Sequence, residues 1–311
     1  MDGLTLFTQL SQALSESSDS SWIDKKTSFD YLYEAACEFV RETECLTASQ
    51  SIIPIGSTSA YDLNPDFYFL YLTDDQNVFF IKYNDGTNDY MIKYREYSPI
   101  VYGNMTTAQA IPDSFTITDK RSATVNITGV ATGAAAGAGG ESILIDSGAT
   151  FLSTVSVGDI IHNTTKSADG IVVVVTSNSQ LVTAILKSGT SSNWTTSDGY
   201  IIVPQGRKQI MFSPAFMNTG GTVTVEYVQK PIPVYSDYRS YRFNPVYMSA
   251  IVKYAAWLYK FRDREPSFAD AFYKHWDLQL RHFKSLEGKS RKRVNWKVNF
   301  NKIAWTDRSL R

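Results

Sequence analysis

Between about residues 50 and 228 the hydrophobic period is that of short strands, and this long middle stretch limits the fold more than any other feature. Ser51–Ile55, Phe67–Leu72, Val78–Tyr83 and Tyr90–Tyr94 are apolar or alternating runs set between turn sequences such as Asn64-Pro65-Asp66 and Asp74-Asp75-Gln76-Asn77. Asn, Asp, Gly and Pro favour tight backbone geometry, so each run between them reads as a strand. Asn84-Asp85-Gly86-Thr87-Asn88-Asp89, between two aromatic runs, predicts a hairpin.

The texture changes at residues 122–204, which lose nearly all Lys, Arg, Tyr and Pro and become rich in Gly, Ala, Ser, Thr and Val. Gly133–Gly140 reads as a flexible segment. Ser142–Ile145, Asp159–His162, Ile171–Thr176, Leu181–Leu186 and Tyr200–Val203 read as short, evenly spaced strands of a small sandwich or barrel. The aromatic texture returns at Lys208–Phe212 and Thr222–Val228, which marks residues 122–204 as an inserted β-domain.

Helices are expected at both ends. Leu4, Phe7, Leu10 or Ser11, and Leu14 step by threes and fours, and a second helix carries Phe29, Leu32, Ala36, Phe39/Val40 and Thr43 on one face with Glu34, Glu38, Glu42 and Glu44 on the wet side. Asn244-Pro245 supplies an N-cap and a first-turn proline. Tyr247, Ile251, Tyr254, Leu258 and Phe261 then form an apolar stripe, and Phe268, Phe272, Trp276, Leu280 and Phe283 line the next helix, predicting an αα-hairpin.

The expected class is α+β: a helical bundle with a tyrosine-rich β-region, an inserted small all-β domain and an extended basic C-terminal arm. The divisions fall at 1–121, 122–204, 205–285 and 286–311. Aromatic residues are 14% of the chain, ample for a core. Cys37 and Cys45 lie eight apart on one predicted helix, about 12 Å along its axis, too far for a disulfide. No stretch approaches the roughly 20 apolar residues of a membrane span, and Met1–Leu6 lacks the positive start of a signal peptide. No membrane association and assembly in a cytoplasm are therefore expected.

Catalytic patterns fail on inspection. The Gly133–Gly140 run lacks the Lys-Ser/Thr of a phosphate loop and precedes a strand instead of a helix. Asp62, Asp66, Asp74 and Asp75 sit at turns without the ligand order of a calcium loop. Ser147-Gly148 and Ser188-Gly189 occupy no nucleophile elbow, and His162, His275 and His282 are scattered. A non-enzymatic protein with no cofactor and no metal is expected.

The C-terminus is different. Residues 281–311 carry ten Lys/Arg against two acidic residues, near +8, so with the chain at −1 residues 1–280 carry about −9. Trp296, Val298 and Phe300 alternate on one face of an extended strand, with Trp305 beyond them. A purely solvating tail has no use for exposed aromatics. Arg291, Lys292, Arg293, Trp296, Phe300 and Trp305 are therefore the candidate residues of an arm that docks on a partner. Block charge could also grip nucleic acid, and Arg207, Lys208, Lys253, Lys260, Arg262 and Arg264 read either as part of such a path or as wet-face side chains.

The order of elements resembles the head-to-tail adaptor proteins of tailed bacteriophages. The features that carry it are Ile53-Pro54-Ile55-Gly56, Tyr61-Asp62-Leu63-Asn64-Pro65-Asp66-Phe67, Gln209–Pro214, Val223–Tyr227 and Arg262-Asp263-Arg264-Glu265-Pro266 before an aromatic helix. It covers roughly residues 1–121 and 205–285. The resemblance implies a virion protein forming a dodecameric ring on a portal protein, with tail or nozzle proteins below. DNA would pass through the ring without sequence-specific binding, and the C-terminal segment would grip the portal. The alternative is a receptor- or glycan-binding tail component that uses the 122–204 module, where Trp194 could stack on a sugar or fill the small domain's core.

Overall fold

Seventeen strands lie between Thr47 and Gln229 in the computed structural model, which describes residues 1–15, 24–71, 80–95, 109–119, 126–187, 193–262, 267 and 269–285. The architecture is mostly β, which corrects the expected helical bundle with a β-region. Each helical run at the two ends of the chain is long and continuous enough to be recognised by itself. Strands are short, and their number becomes visible only once their pairing is known. Two units form: Met1–Thr5 with Leu46–Arg242, and Leu6–Cys45 with Phe243 onward.

The first unit holds two curled sheets. One contains β1 (Thr47–Ile52), β2 (Ala60–Asp62), β3 (Phe67–Leu70), β4 (Phe80–Asn84), β5 (Asp89–Tyr94), β7 (Ser114–Asp119), β15 (Lys208–Ser213) and β17 (Thr222–Gln229). Its order is β1-β17-β4-β5-β7-β15-β2, with β3 beside β17. The far ends meet through one side chain. The Gln50 carboxamide donates to the Asp62 carbonyl at 3.0 Å and accepts from the Asn64 N–H at 2.9 Å, replacing a ladder across the seam. Phe115, Ile210, Phe212, Phe216, Val223 and Tyr227 fill the interior. The predicted Asn84–Asp89 hairpin joins β4 to β5. A two-residue parallel pair, β6 (Gln109–Ala110) with β16 (Ala215–Phe216), sits outside this sheet.

Residues 127–203 build the other sheet alone: β8 (Ile127–Val130), β9 (Gly133–Ala136), β10 (Glu141–Ile145), β11 (Ile160–Asn163), β12 (Ala168–Ser177), β13 (Gln180–Lys187) and β14 (Gly199–Val203). Its order, β8-β14-β11-β12-β13-β10-β9, puts β8 and β9 at opposite ends. Only two residues join them in sequence, a span of at most about 10 Å. The sheet must therefore roll until its edges meet. The chain leaves the first sheet at Asp119 and re-enters at Lys208, which are cross-strand partners. Gly133–Gly140 is not a flexible segment. It forms β9 and the turn into β10, with Gly139 and Gly140 at φ of +64° and +90°, where side chains are disfavoured. Small residues in a strand hid this hairpin from a pattern that looks for β-branched and aromatic runs.

Two buried carboxylates repeat one device in this sheet. Asp159 accepts from the Ser156 N–H at 2.8 Å just before β11, and Asp198 accepts from the Thr195 N–H at 2.8 Å just before β14. Each also holds a cation, Arg207 at 3.3 Å and Lys166 at 3.0 Å. Burial pushes the Asp198 carboxyl up, but hydrogen bonds from Lys166, Asn163 and Thr195 outweigh it and hold it below the ordinary 3.8. A lowered folded value contributes stability above the unfolded value, lost as pH falls through the folded one. The urea midpoint is therefore expected to drop between about pH 4 and pH 2, and less steeply in Asp198→Asn, than at neutral pH. An unchanged slope in that variant would remove Asp198 from the acid transition.

The second unit is helical. Residues of α1 (Gly3–Ala13), α2 (Lys25–Thr43), α4 (Met248–Arg262) and α5 (residues 269–285) compose it, α3 being the single turn Phe151–Thr154 of the first unit. Asp24 caps α2 by accepting from the Thr27 N–H at 3.1 Å, and Glu44 ends it in the left-handed region at φ 52°. Ring contacts pair Tyr247 with Phe283, Tyr254 with Trp276 and Trp257 with Tyr273, so α4 and α5 run antiparallel.

The buried face of α4 departs from the predicted stripe. Ala250, Ile251, Ala255, Ala256 and Tyr259 are buried, while Phe261 is 61% exposed. The buried face of α2 also carries Ala35 and Ala36. Small residues let two helices approach closely, and that contact outweighs burial of the bulkier rings. Leu4, expected in the α1 stripe, is likewise exposed.

Candidate interaction surface

The rotation of α4 leaves a file of aromatic rings along the hairpin. Trp257 lies 5.1 Å from Tyr254, 5.7 Å from Phe261 and 5.3 Å from Tyr273 between ring centroids, and Tyr273 lies 5.3 Å from Trp276. Exposure rises along the file. Trp276 is buried, Tyr254 and Trp257 are half-buried, and Tyr273 and Phe261 stand in solvent. Spacings of three and four residues on one helix face produce this geometry.

Acidic groups of α2 border it. The Tyr254 phenol is pushed up to about 12, first by burial and then by the negative charges of Glu38 and Glu34. Glu38 is engaged by Arg41 at 2.5 Å, whereas Glu34 is exposed and makes no ion pair among the described residues. A ring file with carboxylates beside it suits an apolar segment that carries positive charge.

A second apolar surface lies on the first unit. Ile53, Ile55, Ile111 and Met217 are each between 44% and 67% exposed. Backbone bonds hold their segments together: Gly220 N–H to the Pro54 carbonyl at 3.0 Å, Ser57 N–H to Phe216 at 2.8 Å and Met217 N–H to Ala110 at 3.2 Å. Tyr61 Oη fixes the loop further, accepting from the Ile55 N–H at 2.9 Å. These residues are presented rather than frayed.

All six predicted arm residues, Arg291, Lys292, Arg293, Trp296, Phe300 and Trp305, lie outside the described residues, as do Phe268, Asp74, Asp75, Ser188 and Arg264. Trp194 is 7% exposed and donates from Nε1 to Thr183 Oγ1 at 2.8 Å, so it fills the core of its sheet and offers no face to a sugar. Asp66 accepts from Tyr227 Oη at 2.8 Å and from Gln229, an internal role. His162 Nδ1 and Asp169 Oδ1 form an exposed cross-strand hydrogen-bonded pair at 2.6 Å, a contact between facing residues of β11 and β12. The described residues contain no group of three or more possible metal ligands. None of their helices is long and apolar enough to cross a membrane.

Sequence reasoning missed Trp257 and Tyr273, which lie off the predicted stripes. The available signal was that α4, Met-Ser-Ala-Ile-Val-Lys-Tyr-Ala-Ala-Trp-Leu-Tyr-Lys-Phe-Arg, is apolar on more of its circumference than one packed face can cover. No protein-family model matches this chain, and no curated protein matches its sequence.

Proposed function

We propose that this chain is a structural subunit of a bacteriophage head–tail connector, a homo-oligomeric, dodecameric ring docked on a portal protein with tail or nozzle proteins beneath. The observation that carries the proposal is the presentation of fixed, exposed apolar surfaces on both units: Ile53, Ile55 and Met217 on one, Phe261 and Tyr273 beside the half-buried Trp257 on the other. Water penalises such patches, and a subunit built to be covered by neighbours keeps them. The class of assembly is taken from the resemblance drawn from the sequence, carried by Ile53-Pro54-Ile55-Gly56 and Tyr61-Asp62-Leu63-Asn64-Pro65-Asp66-Phe67. On this reading the acidity of residues 1–280 eases DNA through the channel, because a strongly basic bore would hold it by counterion release. The arm would then grip the portal, and the mature site of action would be the neck of the virion.

Negative-stain microscopy of the purified protein, alone and with the portal encoded beside it, tests the proposal. Rings stacked coaxially on the portal are the expected result. A monomer that leaves the portal bare at micromolar concentrations would overturn it.

A further inference from the structure

We infer that in the free protein the C-terminal arm folds back onto the ring file of its own α4–α5 hairpin, with the Trp296–Phe300 stretch against Trp257, Phe261 and Tyr273. The inference concerns the unassembled chain and stands whether or not a portal is the arm's later partner. Three features point to this occupant. The first is continuity: α5 is described to residue 285, and the arm follows in sequence from the helix that forms one wall of the file.

The second is reach. Tyr273 lies twelve residues before that end, about 18 Å along the helix axis. Trp296 lies eleven residues beyond it, and an extended segment of that length covers about 36 Å. The arm therefore returns to the level of Tyr273 with chain to spare for the reversal.

The third is complementarity. Residues 286–311 hold eight Lys/Arg against Glu287 and Asp307, while the file is bordered by Glu34 and by Glu38, of which Glu38 already pairs with Arg41. In an extended arm, alternation would place Trp296, Val298 and Phe300 on one face, to match a linear row of rings, with Lys297 on the other. Aromatic pairs and cation–ring contacts both favour this match.

The test uses the full chain carrying a benzophenone amino acid, Phe300→p-benzoylphenylalanine, irradiated at low micromolar concentration. The expected product has monomer mass, and its crosslinked peptides fall within residues 254–276. Raising salt to about 1 M should lower its yield severalfold, because the carboxylate contribution is screened. A product of dimer mass would assign the file to a second copy's arm and overturn the fold-back. Adducts elsewhere in the chain, or none, would overturn it as well.

Discussion

Asp159→Ala is expected to destabilise the first unit by about 3–5 kcal/mol, read as a lower urea midpoint with an unchanged slope. The carboxylate is 1% exposed and fully used. One oxygen accepts from the Ser156 N–H and from Arg207 Nη2, and the other accepts from the Gln205 N–H at 2.9 Å. Its removal strands two backbone donors and leaves the Arg207 guanidinium with the Thr154 carbonyl at 2.9 Å as its remaining partner. A half-buried cation left without its counter-charge, together with the stranded backbone donors, costs more than the pair contributes over an apolar replacement, which is why the single deletion is severe. Position adds to the effect. Gln205 and Arg207 lie on the return from the seven-stranded sheet, immediately before β15 enters the eight-stranded one. Asp159→Asn keeps the size and one acceptor and should lose about 1–3 kcal/mol. The comparison is Lys82–Asp89, a shorter ion pair at 2.8 Å but half exposed on both sides, whose deletion should leave the urea midpoint nearly unchanged. A loss that small for Asp159→Ala would show that its hydrogen bonds do not anchor the return.

What the sequence disclosed follows from the range of the forces involved. The buried face of α2 is legible because Phe29, Leu32, Ala36, Phe39 and Thr43 repeat at helical spacing within one segment. The Asn84–Asp89 turn is legible for the same reason: Asp85 accepts from the Thr87 and Asn88 N–H groups, all inside six residues. The pairing of β1 with β17 sets Thr47 opposite Val228, and no local pattern specifies so distant a partner. Class was misjudged on that account, since a sheet is defined by its pairings and a helix by itself. The ring file was hidden by a competition between packing surfaces. The sequence shows that α4 has two apolar faces, but only the alanines of α2 decide which is buried. The candidate arm is visible in the sequence because charge and aromatic spacing require no partner to be counted.

On the connector proposal, Trp296→Ala with Trp305→Ala is expected to abolish portal stacking while leaving the thermal midpoint of the free subunit within about 2 °C. Buried tryptophans at interfaces commonly cost about 2–4 kcal/mol each on truncation, and the arm's charges add mainly to rate and register. A loss of that size per subunit recurs around a ring. Attachment by many linked arms depends on each arm rebinding before the others release, so a modest weakening of every arm collapses the whole attachment. A single Trp296→Ala should therefore give partial occupancy, and Arg291→Ala with Lys292→Ala should weaken stacking chiefly at higher salt. The thermal midpoint separates the two ways the double variant could fail. Stacking lost with an intact midpoint assigns the defect to docking, and stacking lost with a midpoint shifted by many degrees assigns it to folding. Normal stacking by the double variant would remove the tryptophans from the portal interface and leave the apolar surfaces of the two units as the attachment to be tested.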